Sequence, residues 1–296
     1  MSLLSTLRFI TSHPLNKDRK AQALLRFLHW QVASRLMPGP VVFEWIRGTR
    51  FLVRRGETGM TQNLYCGLHE FDDMAYVLHV LRSDDLFVDA GANAGSYTLL
   101  ACGVQGARGY CFEPIPSTYR RLLDNLAINS LLDHVTALNI GLSNQDGHLS
   151  FTSREDTVNH VLGDGESVEG ALTVPVRTLD SVLSTESPTM IKIDVEGYED
   201  PLLRGAEATL NKPSLHSILI ELNGSGVRYG FDENQIIGKL GDHGFLPYSY
   251  SPLIRELRPL HGKNITSGNT LFLRNEDAIR ERIRSAPPIQ LLSREF

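Results

Sequence analysis

The sequence predicts an α/β protein built on a mostly parallel sheet with helices on both faces. Three observations carry this. First, an apolar run at residues 86–88 ends in Asp89. The small residues and glycines of 90–96 follow, and 97–104 then reads as an apolar helix: strand, tight turn, helix. Second, strand-like and helix-like runs alternate from residue 109 to residue 240, as they do where each parallel strand is followed by a crossover helix. Third, three of the strand-like runs close on an acid, at Asp89, Glu113 and Asp194. In such a sheet the carboxyl ends of the strands face the ligand cleft.

Composition narrows the class. The chain has 296 residues, 42% hydrophobic and 21% charged, enough for a sizeable core. The net charge of −5 argues against general binding to nucleic-acid phosphate. It is unevenly spread: residues 1–37 carry Arg8, Lys17, Arg19, Lys20, Arg26 and Arg35 against Asp18 alone, a local +5 that leaves −10 for the rest. The three cysteines Cys66, Cys102 and Cys111 form no C-x-x-C pair, so neither a disulfide framework nor a cysteine zinc site is expected, and a reducing, cytoplasmic setting is. No run of about 18 apolar residues predicts a membrane span, and the N-terminus does not read as a cleaved leader, because Arg8 and Pro14 interrupt it.

Taken in order, residues 17–36 place Leu24, Leu25, Leu28, Val32 and Leu36 at helical spacing, which predicts a helix whose apolar face packs on the main domain or on a second subunit. Residues 41–46 and 50–53 read as a hairpin, 54–66 as loop and 69–81 as a helix. Strands are predicted at 109–112, 135–140, 149–152, 172–176, 190–195 and 217–222. Helices are predicted from 116 or 117 to 129, with Ser117 a candidate cap, and at 179–183, 201–210 and 233–240. Residues 245–250 and 269–273 close the pattern as an antiparallel pair. The expected organisation is a helical extension (1–40), a hairpin with its linker (41–66), the main domain (67–275) and a tail (276–296).

The turn after Asp89 is Asp-x-Gly-x-Asn-x-Gly. Asn93 stands where a dinucleotide fingerprint needs glycine, so a pyrophosphate is a poor fit and a cationic or amino-bearing ligand a better one. Glu113, 24 positions later at the end of the next strand, is placed to accept both hydroxyls of a ribose. Lys192 and Asp194 share one face of their strand. A charged pair there is costly in a packed core and easier to explain at a cleft.

In order and spacing, Val88 to Thr98, Phe112-Glu113-Pro114, Asn125 and Asn129, Gly141-Leu142-Ser143, Val174 to Asp180 and Lys192-Ile193-Asp194-Val195-Glu196-Gly197 resemble the FkbM family of S-adenosylmethionine-dependent methyltransferases over roughly residues 65–273. The resemblance implies a class I (Rossmann-like) methyltransferase fold with a mostly parallel seven-stranded sheet. It also implies O-methylation of a small-molecule hydroxyl, on a sugar, polyketide or other secondary metabolite. Asp89, Gly91, Ala92, Asn93, Gly95, Ser96, Glu113, Pro114, Ile115, Asn139, Gly141, Leu142 and Asp194 are the expected donor-binding residues. The first three strands should hold the donor, with Asp89, Gly91 and Asn93 at its amino acid part, Glu113 at its ribose, and Ile115 with the 139–142 turn near its adenine.

For catalysis the candidates are Asp194 as base or acceptor-orienting group, Glu196 beside it, Lys192 as electrostatic support, and His160 arriving from the polar segment that also holds Asp156, Asn159, Asp164 and Glu166. Asp194, Glu221 and Asn223 could present oxygen ligands to Mg²⁺, though an obligatory divalent metal is not expected. No Asn/Asp-Pro-Pro-Tyr/Phe element and no reactive cysteine stands at 194–197, which disfavours base methylation. The rival readings are an enzyme of the same fold acting on protein or peptide, and a catalytically silent nucleotide-binding module. A homo-oligomer formed through the N-terminal helix is a further expectation.

Overall fold

The computed structural model describes residues 3–37, 39–153, 158–163, 166 and 169–296. Helices α1 (Leu3–Ser12) and α2 (Lys20–Leu36) precede a hairpin of β1 (Val41–Glu44) and β2 (Arg50–Val53). Within residues 54–66, expected as loop, lies helix α3 (Gly59–Cys66). Its glycine, threonine and asparagine are weak helix formers, and burial of Met60, Tyr65 and Cys66 overrides that propensity. Helix α4 (Phe71–Val80) leads to the sheet.

The first half of the sheet runs β3 (Leu86–Ala90), α5 (Ser96–Thr98) continued by a π-turn at Leu99–Val104, β4 (Arg108–Phe112), α6 (Pro116–Ile128) and β5 (Val135–Leu138). Ile115, not Ser117, is the cap of α6; Pro116 opens the helix because its missing N–H costs nothing there. A small side sheet follows, β6 (Gly141–Leu142), β7 (Gly147–Phe151) and β8 (Leu172–Arg177), in the order β6-β8-β7.

The second half comprises α7 (Leu179–Val182), β9 (Met190–Ile193), α8 (Glu199–Arg204), α9 (Glu207–Leu210), β10 (Ser217–Glu221), α10 (Glu233–Asp242), β11 (Leu246–Ser251), β12 (Glu256–Pro259) and β13 (Asn269–Leu273). The single helix expected at 201–210 divides at Gly205, which packs so tightly that a Cβ would stand 2.1 Å from the Ser143 carbonyl oxygen. Residues 276–296, named a tail, form helix α11 (Glu276–Ser285) and a hairpin of β14 (Gln290–Leu291) and β15 (Arg294–Glu295). Phe296 is buried with its ring 5.1 Å from that of Phe71.

Among the described residues the main sheet has eight strands, in the order β5-β4-β3-β9-β10-β13-β11-β12. β5, β4, β3, β9 and β10 are parallel, β13 runs against β10, and β12 adds an edge beyond the seven expected. Side chains alternate between two apolar layers. Phe87, Met190 and Leu219 face a layer shared with α1–α4, the hairpin and Phe296; Val88, Ile191 and Ile218 face one shared with α7–α10. The chain moves outward from β3 in one direction and returns to β9 on its other side, so the cleft opens at the carboxyl ends of β3 and β9.

The apolar face of α2 does not pack as expected. Ala23 and Trp30 are buried, whereas Leu24, Leu25, Leu28, Val32 and Leu36 are exposed. Among the described residues no helix is long and apolar enough to cross a membrane.

Two asparagines on α6 dock the hairpin. Asn125 accepts from Leu52 N (2.8 Å) and donates to Ala94 O (2.7 Å), tying β2 to the turn after β3. Asn129 pairs with both backbone groups of Arg50. Asn125 is buried. Asn125→Ala is therefore expected to lower unfolding stability by about 2–4 kcal/mol in urea titrations, and Asn129→Ala, which solvent can compensate, by about 1 kcal/mol or less. Equal losses would contradict this account.

Candidate active site

A cavity of about 350 Å³ occupies the cleft. Its first wall is the turn after β3. Gly91 N and Ala92 N both donate to Phe112 O (3.0 and 2.9 Å), which locks the turn to the end of β4. Gly91 has φ +84°, and a Cβ there would stand 1.8 Å from the Asp194 carbonyl oxygen, so only glycine lets the turn close on the end of β9. Asn93 adopts φ +49°, a conformation asparagine tolerates, with its Oδ1 accepting from Ala94 N at 2.7 Å. Its own N–H donates to Glu113 Oε2 (3.0 Å), while Ile115 N donates to Oε1 (2.9 Å). Each carboxylate oxygen keeps a further lone pair for a ligand. Burial pushes the Glu113 carboxyl up to about 7 against the pull of those amides.

Of the residues expected to bind a donor, Asp89, Gly91, Ala92, Asn93, Ser96, Glu113, Pro114, Ile115, Gly141, Leu142 and Asp194 line the cavity; Gly95 and Asn139 do not. Gly95 caps α5 in the left-handed conformation. Asn139 donates to the Glu113 and Pro114 carbonyls (2.7 and 3.0 Å) and so shapes the loop from behind. Ile140 takes the wall position, and with Ile115, Leu142 and Phe151 it forms an apolar slot at this end.

The opposite end is charged. Asp89 and Lys192 are register partners on neighbouring strands, and both are almost completely buried. Lys192 Nζ lies 2.8 Å from Asp194 Oδ2 and 4.7 Å from the centre of the Tyr97 ring. Burial alone would depress the ammonium, but Asp194, Glu70 and Asp89 outweigh it and hold Lys192 above its ordinary value. Burial likewise disfavours ionised Asp194, and Lys192 overrides it, keeping Asp194 a carboxylate. Glu221, beside Asp194, is pushed well above the carboxylate range by burial and by the Asp194 charge. Its Oε2 is buried with no hydrogen-bond partner among the described residues.

Sequence reasoning missed His69, Glu70 and Tyr97, all lining this end. His69 Nδ1 and its backbone N each lie 3.0 Å from Asn63 Oδ1 on α3. That oxygen only accepts, so Nδ1 carries the ring proton and Nε2 a lone pair. Burial lowers the imidazole pKa and keeps it neutral. Glu70 accepts from the Tyr97 hydroxyl (2.8 Å) and from Asn269 (2.9 Å). A signal for His69 existed only in its position at the start of the helix expected at 69–81, and nothing in the sequence joined it to Asn63 or to β9. His160, by contrast, does not line the cavity; its Nε2 lies 3.5 Å from Glu166 Oε1 and its Nδ1 3.1 Å from Val158 O. Asp156 and Asp164 lie outside the described residues.

Carboxylate oxygens of Asp194, Glu196 and Glu221 lie within 4.8 Å of one another. Asn223, the third member of the oxygen set expected from the sequence, lines the cavity but accepts from Ser225 N at 2.8 Å. Three carboxyls with oxygen donors would suit Mg²⁺, although Lys192 already supplies the nearest of them with a cation.

A parallel sheet with a reversed β13, a glycine turn after its central strand and acids at the ends of β3, β4 and β9 define a class I methyltransferase fold with its cleft. The chain belongs to the FkbM methyltransferase family: residues 89–247 match the family described as "Methyltransferase FkbM domain". It is 29% identical to the hexuronic acid methyltransferase AglP of Haloferax volcanii, over 52% of this chain and 62% of that protein. It is 28% identical to methyltransferase sdnD of Sordaria araneosa, over 59% of this chain and 79% of that protein. It is 25% identical to the 2-O-methyltransferase NoeI of Sinorhizobium fredii, over 44% of this chain and 61% of that protein. The matched region thus spans under two thirds of AglP and NoeI.

Glu196 supplies a pH test of this acidic cluster. It has φ +54°, and burial, then Asp194 and Glu199, push it from 4.5 up to about 7. The folded chain therefore holds a proton that the unfolded chain has lost, and stability from this group falls as pH rises from about 4.5 to about 7. Glu196→Gln is expected to leave the unfolding free energy unchanged near pH 4 and to raise it by about 1–3 kcal/mol at pH 8, a partly exposed group yielding less than its full shift. Denaturant titrations at the two pH values read this directly; a gain of equal size at both would refute it.

Proposed function

We propose that this protein is an S-adenosylmethionine-dependent O-methyltransferase acting on a hydroxyl of a small molecule, with a sugar or sugar-like acceptor favoured. The observation that carries the reading is the pairing of opposite ends in one cavity: an apolar slot beside Glu113, and an acid-rich floor of Asp89, Asp194 and Glu221 with His69 above it. Two of the relatives are named for methylation of a hexuronic acid and for 2-O-methylation, which supports an oxygen acceptor on a carbohydrate. The donor fits the residues present. Glu113 offers free lone pairs to a ribose diol, the Ile115–Leu142 slot an apolar sandwich for adenine, and Asp89 with its neighbours a negative field for ammonium and sulfonium. When bound, the donor supplies an activated methyl group.

In this reading the protein's main contribution is placement, because methyl transfer from a sulfonium is an in-line displacement. Asp194 orients the acceptor hydroxyl, and Lys192 keeps that carboxylate ionised. His69 Nε2 takes the hydroxyl proton, its tautomer set by Asn63. Glu221, protonated beside Asp194, and Glu196 complete the floor as neutral or partly ionised carboxyls. No obligatory metal is proposed, since Lys192 is the countercharge of Asp194 and burial with the Asp194 charge keeps Glu221 protonated.

Glu113→Ala is expected to weaken S-adenosylmethionine binding by about 1–3 kcal/mol in calorimetry, the scale of a lost charge-assisted hydrogen bond. Undiminished binding by a folded variant would remove Glu113 from the ribose.

His69→Gln should lower kcat by about 10²–10⁴, the usual range for a general base. In the parent enzyme kcat should fall as pH drops through the His69 pKa, which lies below the ordinary histidine value. That acidic limb should vanish in His69→Gln and persist in Asp194→Asn, which loses rate through misplacement of the acceptor. The assays are run with and without EDTA, and turnover that needs Mg²⁺ would make ligands of Asp194, Glu196 and Glu221. An acidic limb retained in His69→Gln would return the role of base to Asp194.

A further inference from the structure

We propose that α2 is a docking face for an anionic lipid surface. The proposal is independent of the methyl-transfer reading. Leu24, Leu25, Leu28, Val32 and Leu36 lie on one side of this 17-residue helix, and each is between 37% and 76% exposed. The other side is satisfied: Ala23 and Trp30 are buried, and Phe27 packs edge-on to Tyr65 with ring centres 5.2 Å apart. Leu3 and Leu4 of α1 are exposed as well. Scattered exposed leucines need no explanation, but a five-residue stripe on one helix does.

Charge selects the occupant. Arg8, Lys17, Arg19, Lys20 and Arg35 are all exposed on α1, on α2 or in the connection between them. The single acid of the segment, Asp18, is paired with Arg294. Arg26 is turned inward, donating to Asn16 Oδ1 and Tyr65 O. A two-fold contact between copies would bring the same cations against themselves. A bilayer with anionic headgroups answers both features at once. Its acyl boundary takes the leucine stripe and its phosphates take the flanking lysines and arginines. The rest of the chain, at −10, is repelled by such a surface, so the protein is held by this face with the others turned away.

The chain's two tryptophans, Trp30 and Trp45, line one cavity beside α2 and make a built-in reporter. The experiment is co-sedimentation of the full chain with phosphatidylcholine vesicles, with and without phosphatidylglycerol, followed also by tryptophan fluorescence. Binding is expected only with phosphatidylglycerol, weakening as salt is raised. It should drop about tenfold or more in Leu25→Ser/Leu28→Ser/Val32→Ser and in Lys17→Gln/Arg19→Gln/Lys20→Gln, both with melting temperatures near that of the parent. No binding to either vesicle, equal binding to both, or unaltered binding by the serine variant would overturn the proposal. So would sedimentation equilibrium showing a dimer that the serine variant breaks, for then a second copy covers the stripe.

Discussion

Much of the cleft depends on one buried ammonium. Lys192 sits in the interior of the main sheet, where an unpaired cation would be prohibitively costly. Asp194 at 2.8 Å, Asp89 in register on β3 and the face of Tyr97 together make it tolerable. The arrangement also works in reverse. Asp89, Glu70, Asp73, Asp194, Glu196 and Glu221 crowd around a single cation, more negative charge than Lys192 can balance. The excess is relieved by protonation: burial first, and then neighbouring acids, push Asp73 up to about 8 and Glu196 up to about 7. A cavity that holds Asp194 ionised while Glu196 and Glu221 are pushed towards protonation for want of positive charge is suited to a ligand that brings some.

The walls around that floor come from parts of the chain remote in sequence. Helix α3 contributes Met60 and Gln62 to the cavity and holds His69 through Asn63. Asn63 also donates to Ser96 on α5, so the same side chain touches both the histidine and the turn after β3. The hairpin is fastened to α6 by Asn125 and Asn129, and Asn125 reaches the Ala94 carbonyl within that turn. The N-terminal elements are therefore part of the cleft's construction and not an appendage to it. Residues 59–70 lie before the region matched by the family, yet Gly59, Met60, Gln62, His69 and Glu70 line the cavity.

The side sheet β6-β8-β7 closes the other end. Phe151 bridges to Val161, and the Tyr229 hydroxyl donates to the Val161 carbonyl at 2.5 Å. Ile115, Phe151, Val161, Val174 and Val176 form their own apolar cluster, apart from the two layers of the main sheet. An apolar end and an acidic end are thus built on separate supports, which lets one cavity present both characters without either spoiling the other's solvation.

The sequence by itself determined the α/β class, the position of the central turn and the acids at the strand ends. Those features are local: strand periodicity, glycine where the backbone must turn, and a carboxylate at the end of an apolar run are all written in consecutive residues. It also put Lys192 and Asp194 on one face, because side chains on a strand alternate. It did not reveal α3, whose weak propensity is overridden by burial, nor the fate of the α2 stripe, whose periodicity says only that a face exists and not what it meets. The tertiary structure alone decided that His69 stands at the cleft while His160 does not. It also brought Glu196 beside Glu221 and made Ile140, not Asn139, a wall of the cavity. Each of these depends on contacts between residues far apart in the chain, and long-range packing leaves no signature in the short-range pattern from which elements are read.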